Sequence, residues 1–340
     1  MPERALRGHW EIEMNRREML KTSAAAAGGL LLPEFLGAPE TASASVTDAA
    51  CLWGAYASPP SGKDAPYAFT VLEKKIGRKL AVTRHYLPFD ARLPGSAIVW
   101  SANGGRRPYI SFKARNHNGD PIRWAAIASG RYDRFLHDQA ARLRQWNKPA
   151  YICFNHDPED DTDCGTPAEF KRAHTRVRNI FIHAGATKLA WVVTLMASTY
   201  AGGHGGPAPW LPQQYRMLGV DGYNRFPCIG SRSKHPWKPF WEIFAPARRL
   251  AAAKGRGLFI GEAGCVEQND CGYHLGNPVA KANWIKGMGA TLESWPEVRA
   301  IVYSSAPTRH DGYPMEYQVD SSLASLAAYR TVGHNRYFNG

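Results

Sequence analysis

Eight short apolar runs, rich in β-branched and aromatic residues, recur along the chain at intervals suited to βα units. No other feature restricts the fold so strongly. In order they are "LWGAYAS" from Leu52, "LAVTRHYL" from Leu80, "PYISFKA" from Pro108 and "AYICFNH" from Ala150. The second half supplies "LAWVVTLM" from Leu189, "MLGVDGYN" from Met217, "GLFIGEAG" from Gly257 and "RAIVYSSA" from Arg299. Helical patterns lie between several of them. Tyr132, Phe135, Leu136, Ala140, Leu143 and Trp146 share one face at helical spacing. The next helix is signed at both ends, with Thr166 as N-cap, Pro167 at the first helical position, Glu169 closing a capping box and Gly185 as the stop. Weaker patterns predict helices over Trp241–Ala253, Val279–Leu292 and Ser322–Val332. This alternation predicts a (β/α)8 TIM barrel, a fold of about 250 residues plus loops, as a single domain over 45–340. A doubly wound sheet competes, but no GxGxxG follows any run.

Barrel chemistry sits at the C-terminal ends of the strands, where side chains from every strand meet one cleft. The fourth run continues as "YICFNHDPEDD" (Tyr151–Asp161) and delivers His156, Asp157 and Glu159 onto its own tip. The seventh delivers Glu262. These strands stand on opposite sides of a small barrel, so two carboxylates can face each other across the mouth. Opposed carboxyl groups are what glycoside cleavage needs: one protonates the leaving oxygen and the other meets the anomeric carbon. The acid needs a raised pKa, and a like charge across the cleft helps to raise it. The same placement would also serve a metal ion or structural pairs with arginines.

Taken in order, "NHDPEDD", "GTPAEF", "GATKLAWVVTLM", "GVDGYN", "FIGEAG" and "YQVDSS" resemble glycoside hydrolase family 26, in the bacterial branch whose fourth strand ends in a His-Glu-Pro-Glu-like sequence. The likeness covers most of Leu52 to Val332. It implies a mannanase-like (β/α)8 enzyme that retains configuration and acts on a β-linked polysaccharide of the β-mannan, β-glucan or xylan type, without cofactor or metal. It implies Glu262 as nucleophile. Tyr223, in the Asp-x-Tyr motif with Asp221, would hydrogen-bond that nucleophile, and His156 would line the subsite at the cleaved bond. The chain departs from the pattern at the acid/base, where the family has glutamate and this chain has Asp157. One methylene fewer withdraws the carboxyl by about 1.5 Å. Retaining pairs stand about 5–5.5 Å apart and inverting pairs roughly 6.5–9.5 Å, so the change bears on proton donation, stereochemistry and turnover together. Glu159, two residues on, is the second acid candidate. Tyr200, Trp210 and Trp237 are expected to offer faces for sugar rings, and "GGHGGPAPW" (Gly202–Trp210) reads as a glycine-rich loop over the cleft.

Residues 1–44 read as an export signal rather than as fold. "NRREMLK" (Asn15–Lys21) sets paired arginines before "TSAAAAGGLLL", with "ASA" (Ala42–Ala44) as the cleavage site, and resembles a twin-arginine address. The mature protein is therefore expected to be secreted. Export permits disulfides among the six cysteines; Cys265 and Cys271 bracket a short polar loop and are the first candidates, while Cys153 reads as a buried small hydrophobe. The formal net charge of +13 raises attraction to polyanions, yet no block of like charge and no nucleic-acid motif appears. The expected partner is a polysaccharide or oligosaccharide, with no nucleic acid, no membrane and a monomeric state. Two rivals remain: a carbohydrate-binding protein that has lost its acid, and a basic protein that binds anionic polymers.

Overall fold

Each of the eight apolar runs forms a strand. They are β1 (Leu52–Ala57), β2 (Val82–Leu87), β3 (Arg107–Phe112), β4 (Ala150–Phe154), β5 (Leu189–Met196), β6 (Met217–Asn224), β7 (Gly257–Cys265) and β8 (Val298–Ser305). All neighbours pair in parallel in chain order, and β1 pairs with β8 from Leu52↔Ala300 to Ala57↔Ser305, which closes the barrel. The computed structural model describes residues 51–225, 236–267, 279–310 and 313–338, without the side chains of residues 309, 310, 313 and 314. The expected export segment and Cys271 lie outside those residues.

Helices alternate with the strands: α1 (Ala65–Ile76), α2 (Ser96–Asn103), α3 (Trp124–Ala128), α4 (Asp133–Trp146), α5 (Pro167–His183), α6 (Ala197–Tyr200), α7 (Phe240–Ala253), α8 (Ala280–Glu293) and α9 (Leu323–Gly333). The capping box read from the sequence is formed: Thr166 Oγ1 accepts from the Glu169 N–H, and Glu169 Oε2 accepts from the Thr166 N–H at 2.7 Å. Phe170, Ala173, Val177 and Phe181 then bury one face of α5. The sequence reading passed over α1, although its signals are present. Asp64 accepts from the Tyr67 N–H at 2.9 Å, Pro66 sits in the first turn, and Gly77 ends the helix in the left-handed region at φ 73°.

Two cores result. The larger lies between the strands and the surrounding helices, and the smaller fills the barrel interior with Val82, Tyr109, Tyr151, Val192, Phe259 and Val302 among others. Tyr109 and Tyr151 pack on Phe259 with ring centroids 4.6 Å and 4.7 Å away, so the barrel has a filled floor and chemistry is confined to its rim. Cys153 is fully buried, as expected of a strand residue. The disulfide expected of Cys265 is not formed. Cys265 closes β7 facing the helical layer, fully buried, and its free thiol donates to the Val266 carbonyl.

His174 of α5 is fully buried between Phe170 and Trp191, and neither ring nitrogen has a hydrogen-bond partner. Burial holds its pKa down, to about 3. Such a histidine stays neutral in the folded chain and protonates in the unfolded one. Its contribution to stability is full above the unfolded value of about 6.5 and is lost as pH falls toward the folded value. His174→Phe should therefore show a smaller loss of thermal midpoint than wild type between about pH 7.5 and about pH 5, measured by circular dichroism. Equal losses in the two proteins would refute this.

Candidate active site

The site grows from the alternation of β2. Val82, Arg84 and Tyr86 turn toward the barrel interior, while Thr83 and His85 turn outward onto Ser101 of α2, at 3.0 Å and 3.1 Å. Arg84 is fully buried, and a lone guanidinium there would be prohibitively costly. It is paired twice. Its Nη1 and Nη2 donate to Asp221 Oδ1 and Oδ2 at 3.2 Å and 3.0 Å, and Nη2 lies 3.1 Å from Glu262 Oε1. Its plane rests over the rings of Tyr86 and Tyr109, 4.5 Å and 4.8 Å from their centroids.

The register of β6 against β7 brings Asp221 directly beside Glu262, and an irregularity between Val220 and Asp221 re-aims both side chains into the mouth. Gly261 makes room for this. A Cβ there would stand 2.5 Å from Asp221 Oδ1 and 3.0 Å from Arg84 Nη1, so only glycine allows the pair to close. Glu262 also accepts from Tyr86 Oη at 2.6 Å on Oε1 and from Tyr223 Oη on Oε2. Burial alone would push the Glu262 carboxyl up. The Arg84 guanidinium and the hydroxyls of Tyr223 and Tyr86 outweigh it and hold Glu262 below the ordinary glutamate value. Burial pushes Asp221 well above the ordinary aspartate value, against the pull of Arg84 and with repulsion from Glu262.

The tip of β4 is equally built. Asn155 and Asp157 both adopt left-handed backbone, at φ 55° and 48°, which costs of order 1 kcal/mol or more for each and persists only where the surroundings impose it. Here the Asn155 side chain accepts from the Ala114 N–H at 2.8 Å and donates to Asp161 at 2.8 Å. Asp161 in turn holds Lys113 at 2.9 Å and Arg115 at 2.9 Å. The Asp157 N–H donates to the Thr194 carbonyl of β5 at 3.1 Å. The turn is thus fixed, and the carboxyl of Asp157 is left with a buried Oδ1 that no protein group satisfies. Burial pushes its pKa well above the ordinary aspartate value, and the charges of Asp221, Glu262 and Glu159 push it further, against Lys113. Two carboxyl groups within one field are therefore driven apart: Glu262 toward the anion, Asp157 toward the neutral acid.

His156 is buried between these groups. Its Nδ1 lies 2.7 Å from Ser111 Oγ and its ring packs against Tyr86, centroids 5.2 Å apart. Burial, with the charges of Lys113 and Arg84, keeps it neutral, far below the usual histidine pKa. Glu159 is 2 % exposed; its Oε1 accepts from the Met196 N–H at 3.0 Å at the start of α6, and its Oε2 is buried without a protein partner among the described residues. Burial lifts its pKa to about 7.

Two of the aromatic residues expected as stacking faces are not exposed. Tyr200 is 8 % exposed with its hydroxyl on the Gly219 carbonyl at 2.8 Å. Trp210 is 4 % exposed, packs on Trp124 and Phe170, and donates from its indole to the His204 carbonyl at 3.2 Å. The loop Gly202–Trp210 is thus pinned through Trp210. Trp237 is half-buried and lines a groove between α7 and α8, together with Trp241 and Trp284, with none of the cleft carboxylates in it. Three contributors at the mouth went unread in the sequence: Arg84, Tyr86, and Tyr56, whose ring meets Tyr86 edge-on at 4.8 Å. The available signal was an arginine inside an apolar run, two residues before a tyrosine and so on the same face.

An acid-lined rim on a (β/α)8 barrel is the class that the geometry defines. No family profile and no curated protein matches the chain. Among solved structures, the catalytic domain of a Bacillus sp. GH26 endo-β-1,4-mannanase is similar, with a TM-score of 0.58 at 13 % identity over 85 % of this chain and 86 % of that one. A Cellulomonas fimi endo-β-1,4-mannanase double mutant gives 0.56 at 14 % identity over 85 % and 71 %. A β-mannanase from a symbiotic protist of the termite Reticulitermes speratus, solved with a gluco-manno-oligosaccharide, gives 0.54 at 14 % identity over 85 % and 88 %. At these identities the likeness establishes the fold.

Removing Arg84 should leave two buried carboxylates without a counter-charge. Arg84→Met is expected to lose about 3–5 kcal/mol of unfolding free energy in urea near neutral pH. The loss should shrink as acid protonates Asp221 and Glu262. A loss that is small, or independent of pH, would show that the cluster does not depend on Arg84.

Proposed function

We propose that the chain is a secreted, monomeric glycoside hydrolase that cleaves β-mannan-type polysaccharide with retention, using Glu262 as nucleophile and Asp157 as general acid/base. One arrangement carries the reading: a carboxyl that three donors hold below the ordinary glutamate value shares a rim with a buried carboxyl pushed well above the ordinary aspartate value. That asymmetry is what two-carboxylate glycoside cleavage requires. The β-mannanases among the similar folds support the substrate class, and export rests on the N-terminal sequence alone.

In the first step Asp157 gives its proton to the glycosidic oxygen as the C–O bond breaks, and a Glu262 oxygen forms a bond to the anomeric carbon. Asp157, now a carboxylate, takes a proton from a water molecule whose oxygen attacks that carbon. The bond to Glu262 breaks, and both acids return to their starting forms. Tyr86, Tyr223 and Arg84 fix the Glu262 carboxylate and release charge density to it as the bond to carbon weakens. Neutral His156, held by Ser111, can line the subsite without competing for the proton.

The assay is release of reducing sugar from β-mannan, mixed-linkage β-glucan and xylan, with mannan expected to be the best substrate. Glu262→Ala should abolish release. If wild type releases no more sugar than Glu262→Ala does, the hydrolase reading fails. Asp157→Ala should lose about 10²–10⁴-fold on polysaccharide, but much less on an aryl glycoside whose leaving group needs no proton. In the pH profile of kcat/KM, the acid limb should fall below the ordinary glutamate range. The alkaline limb should lie well above the ordinary aspartate range, because activity is lost only when Asp157 gives up its proton. The rival, a binding protein that has lost its acid, requires instead that Asp157→Glu create activity absent from wild type.

A further inference from the structure

Lys281 is out of place on two counts. It is the second residue of α8, where the helix dipole disfavours a cation, and its side chain is fully buried. The proposed cleft chemistry makes no use of it. What it does instead is gather acceptors. Its Nζ donates to the Glu316 carbonyl at 2.8 Å, the Gln318 carbonyl at 2.6 Å and Ser321 Oγ at 2.7 Å, so each proton of the ammonium has a partner. Burial lowers its pKa to about 8, which leaves it largely protonated at neutral pH. Glu267, just past the end of β7, completes the group. Its Oε1 lies 3.9 Å from the ammonium and accepts from Ser321 Oγ at 2.5 Å and Ser325 Oγ at 2.9 Å.

The two carbonyls belong to the residues on either side of Tyr317, so Lys281 fixes the backbone at that one side chain. Tyr317 is 4 % exposed and its ring packs on Tyr223, with centroids 4.8 Å apart. The Val319 N–H, donating to Ser305 Oγ at 3.2 Å, ties the same segment to the end of β8. β7 is shaped for the contact: a Cβ on Gly264 would stand 2.7 Å from the Tyr223 ring and 3.0 Å from that of Tyr317. Tyr223 in turn carries a hydroxyl that donates to Glu262 Oε2. We propose that Lys281 is a positioning residue for Glu262: by holding the backbone around Tyr317 it keeps that ring packed on Tyr223, and so keeps the Tyr223 hydroxyl on the carboxylate. Lys281 acts through two aromatic rings and not by touching substrate. The consequence for turnover rests on the hydrolase reading; the consequence for the Glu262 carboxyl does not.

The direct test is the titration of Glu262, followed by carbon NMR of protein labelled at the glutamate carboxyl carbon and assigned with Glu262→Gln. Hydrogen bonding to the charged form lowers a carboxyl pKa, so Lys281→Met should move the Glu262 titration up by about one pH unit. Tyr317→Leu leaves every charge in place and should move it up by a similar amount. The double variant should show no more than the larger single shift, because both changes act through one path. Where Lys281→Met does not fold, Lys281→Met with Glu267→Gln removes the stranded carboxylate and takes its place. On β-mannan the same variants should lose about 10–100-fold in kcat, with KM changed less than about twofold. A Glu262 titration that stays at its wild-type position in a folded variant, or shifts that add in the double variant, would overturn the proposal. If the titration moves as expected but wild type releases no sugar, the positioning role stands and the hydrolase reading alone fails.

Discussion

One buried guanidinium organises the mouth of the barrel. Arg84 reaches Asp221 and Glu262 together and lies over Tyr86 and Tyr109, so four strands converge on a single charge. Its own burial is tolerable only because both carboxylates are there, and theirs only because it is. The irregularity in β6, the glycine at position 261 and the in–out alternation of β2 are all consequences of building around that contact. A change in any one of them would be felt at Glu262.

Environment rather than residue type then separates the two acids across the rim. Glu262 has hydrogen-bond donors on both oxygens and a cation beside it. Asp157 has an unsatisfied oxygen, a low-dielectric wall and three acidic neighbours. Burial is also the largest cause of the raised pKa of Glu159, whose Oε1 is taken up by the Met196 N–H. An aspartate where the family resembled in sequence has glutamate is shorter, yet its turn is unusually well fixed. Left-handed backbone at Asn155 and Asp157, braced through Asp161, Lys113 and Arg115, gives this tip a geometry of its own.

Much of this was legible in the sequence, for identifiable reasons. β5 and β6 match the apolar runs residue for residue, because strands buried on both faces are read directly as continuous apolar runs. The capping box announced α5 to within a residue. Asp157 and Glu262 were visible as candidates because strand tips are where barrels keep polar residues, and Tyr223 was visible through the resemblance to glycoside hydrolase family 26. Arg84 was not, since its meaning lies in partners 137 and 178 positions away, a relation that no local pattern carries. Tyr200 and Trp210 were misjudged for the converse reason. A loop aromatic looks the same whether its ring faces a ligand or, as here, the hydrophobic core.

Among the described residues the charge divides along the barrel axis, with acids at the cleft and exposed cations without an ion pair at the far end, although only the net value is apparent from composition. The proposed cleft chemistry makes Glu262 the group that would bond to the anomeric carbon. The most direct measurement is mass spectrometry of the protein after exposure to an activated 2-deoxy-2-fluoro-β-mannoside, which slows breakdown of a glycosyl-enzyme. The account predicts one added glycosyl group, carried on the peptide that contains Glu262. A label on any other residue, or hydrolysis that proceeds with inverted product and no label, would contradict it.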